Sequence, residues 1–166
     1  VESLLEDGCH AKQVHLGDEH MTVLTTEGEV LTAGSGSYGR LGNFETADQL
    51  YLEPVELLST GVVQICGGKA FTLALTKDGL VQGWGRNDKG QLGTGFGMAV
   101  DMYAMANFPT TVESDEFMGR NVVEIAAGDH HSACVTSGGE LFEWGSNVRL
   151  EPELVSSLMH TKIVHA

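Results

Sequence analysis

Short runs of apolar and β-branched residues recur along the chain, and each run ends in a turn that contains glycine. The runs lie at residues 21–25 (MTVLT), 71–75 (FTLAL) and 132–136 (SACVT). Such runs between turn residues predict short β-strands. The turns that follow (TEG, KDG and SGG) each lead into a second apolar run, and tight hairpin turns need the positive φ that glycine adopts easily. The pattern therefore predicts a series of β-hairpins, and only one loop has the spacing of a helix.

The hairpins belong to a longer internal repeat. The segment that starts at Val14 superposes on the segment that starts at Ile65, and a third copy starts at Ile125. Glycines and the Leu-Gly pairs fall at matching places, and the extra residues are confined to connections, where a repeated scaffold tolerates them. The predicted repeats span approximately 14–57, 62–112 and 122–155.

The glycine-rich stretch GSGSYGRLG contains a G-x-G-x-x-G spacing at Gly34, Gly36 and Gly39. A dinucleotide-binding loop needs a strand before it, a helix opening directly after it, and an acidic residue about twenty positions later. Here no helix follows, and the copy that starts at Gly85 lacks the middle glycine. We therefore interpret these glycines as turn residues of the repeat, and a dinucleotide enzyme remains only as a third hypothesis.

The segments GGKAFTLALTKDG and GWGRNDKGQLG resemble the repeats of the regulator of chromosome condensation family, and GDEHMTVLTTEG and GDHHSACVTSGG follow the same pattern. The resemblance implies an all-β fold in which each repeat supplies strands to a blade of a β-propeller. Propellers close with roughly four to eight blades. We therefore expect residues 1–166 to form one partial propeller domain, an incomplete ring of about three blades with ragged ends.

Two departures from the family pattern bear on this expectation. Three repeats cannot make the usual ring, so the chain is expected to be part of a longer one or to be completed by another chain. The third repeat also leaves the pattern after Asn147, where Val148 follows directly. This blade either is naturally short or lacks a loop.

The charge balance narrows the classes of partner. The sequence has 23 Asp and Glu against 9 Lys and Arg, for a formal net charge of −14. A surface this acidic repels phosphate backbones and acidic lipids, so we expect no direct nucleic-acid binding and no membrane insertion. The three cysteines, Cys9, Cys66 and Cys134, have neither a metal spacing nor the even number of a disulfide framework. We expect no metal or cofactor, and an intracellular reducing compartment (cytoplasm or nucleus, with the mitochondrion as an alternative).

The resemblance implies two main functions. Some family members catalyse guanine-nucleotide exchange on the small GTPase Ran, and others are recognition domains or scaffolds in larger proteins. No nucleophile and base stand out as a catalytic pair. We therefore expect a non-enzymatic protein-interaction or scaffold module that binds a protein partner, either a small GTPase or other subunits of a complex. Guanine-nucleotide exchange on a Ran-like GTPase is the alternative.

The candidate contact residues occupy matching positions in the repeats. Asp18, Lys69 and Asp129 each follow the first glycine of a repeat, so they should line one rim of the propeller. In the exchange factors, acidic residues of such G-D-x-H turns face the GTPase, which Asp18 and Asp129 match and Lys69 does not. The favoured alternative is that each aspartate caps its own turn through a backbone N–H.

His130 and a methionine-rich loop complete the candidate contacts. Histidines 20 and 131 share a repeat position with Phe71, so they are expected to be core residues, which leaves His130 as the exposed histidine. Met98, Met102 and Met105 fall at i, i+4 and i+7, one face of a short helix. Such a stripe suits an adaptable partner surface, although packing on its own blade is the favoured alternative.

Overall fold

The structure is a computed structural model that describes residues 10–58, 61–95 and 104–156. Its strands form three four-stranded antiparallel sheets, here called blades 1 to 3, and each sheet follows chain order. Blade 1 comprises β1 (Ala11–Leu16), β2 (His20–Thr25), β3 (Val30–Gly34) and β4 (Gln49–Pro54). Blade 2 comprises β5 (Val62–Gly67), β6 (Phe71–Thr76), β7 (Val81–Arg86) and β8 (Met105–Thr111). Blade 3 comprises β9 (Val122–Ala127), β10 (His131–Thr136), β11 (Leu141–Gly145) and β12 (Arg149–Leu154).

The repeat glycines have two structural roles. Gly28, Gly79 and Gly139 have φ of 85°, 77° and 79° and close the predicted hairpins between the second and third strands of each blade. Gly34 has φ of 114° at the end of β3, and a side chain there would run into the carbonyl oxygen of Glu19. A glycine at this position therefore lets two backbone segments approach closely.

The G-x-G-x-x-G spacing is not a phosphate loop. Its last three residues, Ser37–Gly39, form a 3-10 turn, and no α-helix opens there. The backbone N–H of Gly36 donates instead to Asp48 Oδ1 at 3.0 Å. A carboxylate of the chain itself therefore binds one of the N–H groups that a nucleotide phosphate would need.

The third repeat is short because its last two strands form a tight hairpin. Ser146 and Asn147 have φ of 55° and 61°, and the N–H of Val148 donates to the carbonyl of Gly145 at 3.0 Å. Two successive residues with positive φ suit the twist of a two-residue hairpin. Blade 3 therefore has four strands, and this two-residue turn joins the last two directly.

The three blades stack through two junctions. At the first junction, between blades 1 and 2, Trp84 is buried and its Nε1 donates to the carbonyl of Arg40 at 3.2 Å. At the second junction, between blades 2 and 3, Trp144 is buried and its Nε1 donates to the carbonyl of Gln91 at 2.9 Å. In each case an indole from one blade covers the last loop of the blade before it.

A glutamine also clamps each junction. Gln13 Nε2 donates to the carbonyl of Ile65 at 2.6 Å, and its Oε1 accepts from the N–H of Ile65 at 2.9 Å. Gln64 binds Ile125 in the same way, at 2.9 and 3.0 Å. One side chain thus satisfies both backbone groups of a residue on the innermost strand of the next blade.

These observations confirm the predicted all-β fold with propeller blades. Three blades do not close a ring. Among the described residues, no helix is long and apolar enough to span a membrane.

Candidate functional site

The structure places Asp18, Lys69 and Asp129 on one edge of the blade stack, here called the upper rim. Each lies in the turn between the first and second strands of its blade. The N–H of Asp18 donates to the carbonyl of Lys69 at 3.0 Å, and the N–H of Lys69 donates to the carbonyl of Asp129 at 3.4 Å. The three turns therefore form one continuous, hydrogen-bonded edge.

The rim carboxylates do not cap their own turns, so the favoured alternative is wrong. Among the described residues, neither the Asp18 nor the Asp129 side chain accepts a backbone hydrogen bond. Asp129 Oδ2 instead lies 3.0 Å from Lys69 Nζ, and this pair is well exposed. The hydrogen bond and charge of Asp129, together with the charge of Asp18, raise the pKa of Lys69. The lysine therefore pairs with Asp129 and feels the charge of Asp18, and all three side chains remain accessible.

The repeat-matched histidines are in different environments. His20 is 4% exposed between blades 1 and 2, as expected for a core residue. His131 is exposed, on the side of blade 3 that faces no other blade among the described residues. His130 lies in the preceding turn and is half-buried, at the edge of a cleft on the upper rim.

Burial changes the proton affinity of His20. Desolvation, followed by the positive charges of His15 and Arg40, lowers the pKa of His20 to about 4. Its ring contacts the His15 ring edge-on, with centroids 5.7 Å apart, and its Nε2 lies 3.4 Å from Thr72 Oγ1 in blade 2. His20 is therefore a neutral residue of the first junction near neutral pH.

Met105 is not part of a helix. It is the first residue of β8, pairs with Arg86 in the sheet register, and is 46% exposed. The predicted helical stripe is therefore wrong at this residue. Met98 and Met102 lie outside the described residues.

The upper rim contains a cleft of about 500 Å³ at the first junction, here called the rim cleft. Blade 1 and blade 2 provide most of its walls, and His130 reaches it from blade 3. Its lining residues are Asp18, Glu19, Tyr38, Arg40, Lys69, Ala70, Arg86, Gln91 and His130. The cleft therefore combines three of the four predicted rim contacts with residues that sequence analysis did not select.

Two arginines converge on Tyr38 within the rim cleft. The guanidinium carbons of Arg86 and Arg40 lie 4.6 Å and 5.9 Å from the centre of the Tyr38 ring. Tyr38 has φ of 60°, a left-handed conformation that costs about 1 kcal/mol or more in a residue other than glycine. The cation–π contacts offset part of that cost. A strained backbone thus presents an aromatic ring to two cations.

The two guanidiniums are held in place by the protein. Arg40 Nε donates to the carbonyl of Ser37 at 2.8 Å, and its Nη1 donates to Glu19 Oε2 at 3.1 Å. Arg86 Nη2 donates to Asp88 Oδ2 at 2.7 Å. The Nε of Arg86 is buried and meets no acceptor among the described residues. Each guanidinium therefore has a fixed position and more N–H donors than acceptors.

Repeat matching could not reveal this cleft. When the repeats are superposed, Arg40 corresponds to Gln91, and Arg86 corresponds to Ser35. The two arginines therefore occupy different repeat positions on different blades. The sequence signal was the presence of arginines beside the repeat glycines, but only the stacking of blades shows that they meet.

Known proteins share this architecture and this sequence pattern. Residues 27–75 and 78–135 match the model of the regulator of chromosome condensation (RCC1) repeat. The chain is 34% identical over 162 residues to the E3 ubiquitin-protein ligase HERC2 of Homo sapiens, a match that covers 89% of this chain and 3% of the ligase. It is 36% identical over 145 residues to the secretion-regulating guanine nucleotide exchange factor of Bos taurus, covering 84% of this chain and 30% of that protein.

A solved structure supports the same fold. Human WBSCR16 superposes with a TM-score of 0.77 at 27% identity, covering 89% of this chain and 39% of that one. The chain thus spans less than half the length of each of these relatives.

Proposed function

Because the chain belongs to the family of regulator of chromosome condensation repeats, we propose that it is a non-catalytic protein-recognition module whose contact surface is the upper rim. The observation that carries the proposal is the continuous edge of Asp18, Lys69 and Asp129 with the rim cleft beside it. Loops that a rigid scaffold positions are where binding residues concentrate, and the upper rim consists of such loops. His130 and Met105 are the further contact residues of this proposal, together with Met98 and Met102.

The similarity to a ubiquitin ligase and to an exchange factor is consistent with this role. In both relatives the matched segment is a minor part of a longer protein. A repeat module that recurs in proteins of different activity suits a shared task of binding other proteins. We also propose a reducing compartment, since Cys66 and Cys134 are free thiols.

Native mass spectrometry of the protein isolated from its source at low and high salt tests the recognition role. We expect a stoichiometric protein partner. If the protein is alone at every salt concentration, the recognition role is wrong.

A matched pair of variants tests the upper rim. Lys69 lies on the upper rim of blade 2, and Lys77 lies in the hairpin turn at the opposite end of the same strand, β6. Both are exposed. We expect Lys69→Glu to weaken partner retention and Lys77→Glu to leave it unchanged. The reverse result would place the partner on the opposite edge.

Guanine-nucleotide exchange is the second candidate function. It is favoured by the 36% identity to an exchange factor and by the turns that hold Asp18 and Asp129. Release of a fluorescent GDP analogue from Ran tests it. An exchange factor accelerates release, and Asp18→Asn or Asp129→Asn should slow it. Without acceleration by the unaltered protein, this function is eliminated.

A further inference from the structure

We propose that the rim cleft binds a carboxylate side chain of the protein partner through Arg86, with Arg40 adding its charge from behind, an inference that rests on the recognition function above. The chain has nine lysines and arginines, and three of them line this one cleft. Its lining holds these three cations and two carboxylates, Asp18 and Glu19. Each cation pairs with a carboxylate: Arg40 with Glu19, Lys69 with Asp129 and Arg86 with Asp88. The rim cleft thus concentrates three of the nine basic side chains of a protein whose net charge is −14.

The arginine N–H donors in the cleft outnumber the acceptors that the protein provides for them, so a partner can supply a further acceptor. Arg40 uses two of its nitrogens in contacts with Ser37 and Glu19, and Arg86 uses one in its contact with Asp88. A guanidinium has five N–H donors in a fixed fork that matches the two oxygens of a carboxylate. The Tyr38 ring lies against both guanidiniums. The Arg86 side chain is 31% exposed and the Arg40 side chain only 5%, so Arg86 is the arginine that an acidic side chain can reach.

The charges around the cleft favour a carboxylate over a phosphate. Asp18 and Glu19 are exposed at its edge, and Asp129 stands beside Lys69. A phosphate group carries close to two negative charges at neutral pH and is repelled by these carboxylates more strongly than an aspartate or glutamate. A nucleic acid is repelled further by the net charge of the chain. The partner chemistry that fits is an acidic peptide segment.

The second junction provides an internal comparison. The positions that match Tyr38, Arg40 and Arg86 are Lys89, Gln91 and Ser146. No guanidinium occupies those positions. The proposed site is therefore specific to the first junction and does not follow from the repeat itself.

A library of random heptapeptides displayed on phage, selected on the folded protein at about 0.15 M salt, tests the proposal. We expect selected peptides to be enriched in aspartate and glutamate. Arg86→Gln should abolish this enrichment. An aspartate-containing peptide from the selection should bind Arg86→Gln about tenfold or more weakly than it binds the unaltered protein.

Arg120→Gln is the matched control. Arg86 and Arg120 are 31% and 35% exposed, each pairs with a carboxylate, and each stacks on an aromatic ring. Arg120 lies outside the rim cleft, so its replacement should change affinity by less than about twofold. Arg86→Lys, which keeps the charge and loses the fork, should bind with intermediate affinity. Circular dichroism of each variant verifies that it is folded.

Several outcomes would overturn the proposal. They are selection of lysine- and arginine-rich peptides, equal binding by Arg86→Gln and Arg120→Gln, and tighter binding when the key aspartate is replaced by phosphoserine.

Failure of this site can be distinguished from failure of the recognition function. If the natural partner is retained by Arg86→Gln and lost with Lys69→Glu, the module recognises a protein without using the arginines. If no partner is found at all, the recognition function itself fails.

Discussion

The two blade junctions share the same backbone contacts and differ in the side chains that they bury. Both have an indole that covers the preceding loop and a glutamine that clamps the next blade. Among the described residues, the second junction gathers twelve buried residues into one apolar cluster, whereas the cluster at the first junction has seven. Where the second junction has Phe71, the first has His20, with Thr72 beside it. The first junction therefore buries fewer apolar residues than the second, and the rim cleft lies at its upper edge.

The comparison teaches that the repeat preserves the contacts that align the blades and leaves the rest free to vary. Hydrogen bonds from tryptophan and glutamine involve backbone groups of the neighbouring blade, so they are independent of the side chains around them. Polar side chains at a junction reduce stabilisation because they bury less apolar surface. We therefore expect the first junction to open before the second.

The largest effects should follow removal of the tryptophans. Trp84→Ala and Trp144→Ala each leave a large cavity and remove a hydrogen bond, so each should lower the free energy of unfolding by about 3–5 kcal/mol. Urea-induced unfolding measures this loss. Met118→Ala is a control, because Met118 is 78% exposed and its removal should have little effect.

Thiol labelling makes this experiment specific to a junction. Cys134 belongs to the second-junction cluster, and Cys66 packs against it. Burial raises the pKa of both thiols to about 12. They should react slowly in the unaltered protein and in Trp84→Ala, and faster in Trp144→Ala. If Trp84→Ala exposes both thiols just as quickly, the junctions open as a single unit and the comparison is wrong.

Protonation of His20 should make the free energy of unfolding depend on pH. Between about pH 6.5 and pH 4 the change should be about 3 kcal/mol. The folded protein keeps His20 neutral down to about pH 4, whereas the unfolded chain takes up the proton near pH 6.5. The unfolded state binds more protons between these values, so the free energy of unfolding falls as the pH falls through this window. His20→Phe, which copies Phe71, should remove the part of this slope that His20 causes, whereas His15, whose pKa burial also lowers, keeps its own part.

The site can accept that change. Gly17 leaves room for the His20 ring just as Gly68 leaves room for the Phe71 ring, since a side chain on either glycine would run into the ring. His131→Phe, at the exposed matching position, is the control for the substitution itself. Urea titrations between pH 4 and pH 7 measure the slope, and an unchanged slope in His20→Phe would show that other groups cause the pH dependence.

The two glutamine clamps should stabilise the protein less than the tryptophans do, and the two should contribute equally to the free energy of unfolding. Gln64→Glu keeps the acceptor for the N–H of Ile125 but loses the donor to its carbonyl, and Gln13→Glu does the same at Ile65. Each change should lower the free energy of unfolding by about 1–3 kcal/mol, because a backbone carbonyl loses its hydrogen bond. Losses that differ widely between the two variants would contradict this expectation.

The ion pair on the upper rim should have the smallest effect on stability. Lys69→Met removes the contact with Asp129, whose side chain is 68% exposed. Solvent screens such a pair, so we expect no measurable change in the free energy of unfolding. Unfolding at about 0.05 M and about 0.5 M salt measures this. A loss at the lower salt that disappears at the higher salt would show that the pair stabilises the junction.

The sequence by itself determined the fold class, the repeat and the common edge of Asp18, Lys69 and Asp129. These features depend on local pattern: β-forming runs, glycines where φ is positive, and matching positions that stacking places on one edge. The helical stripe through Met105 was wrong because spacing within a loop cannot show that its end pairs with Arg86 in a sheet.

Only the tertiary structure decided the rest. Whether a histidine is buried depends on the neighbouring blade, which is why His20 and His131 differ at one repeat position. The rim cleft unites Arg40 and Arg86 from different repeat positions, so no alignment of the repeats brings them together. Residues distant in sequence meet according to how blades pack, and packing is a property of the whole stack rather than of any one repeat.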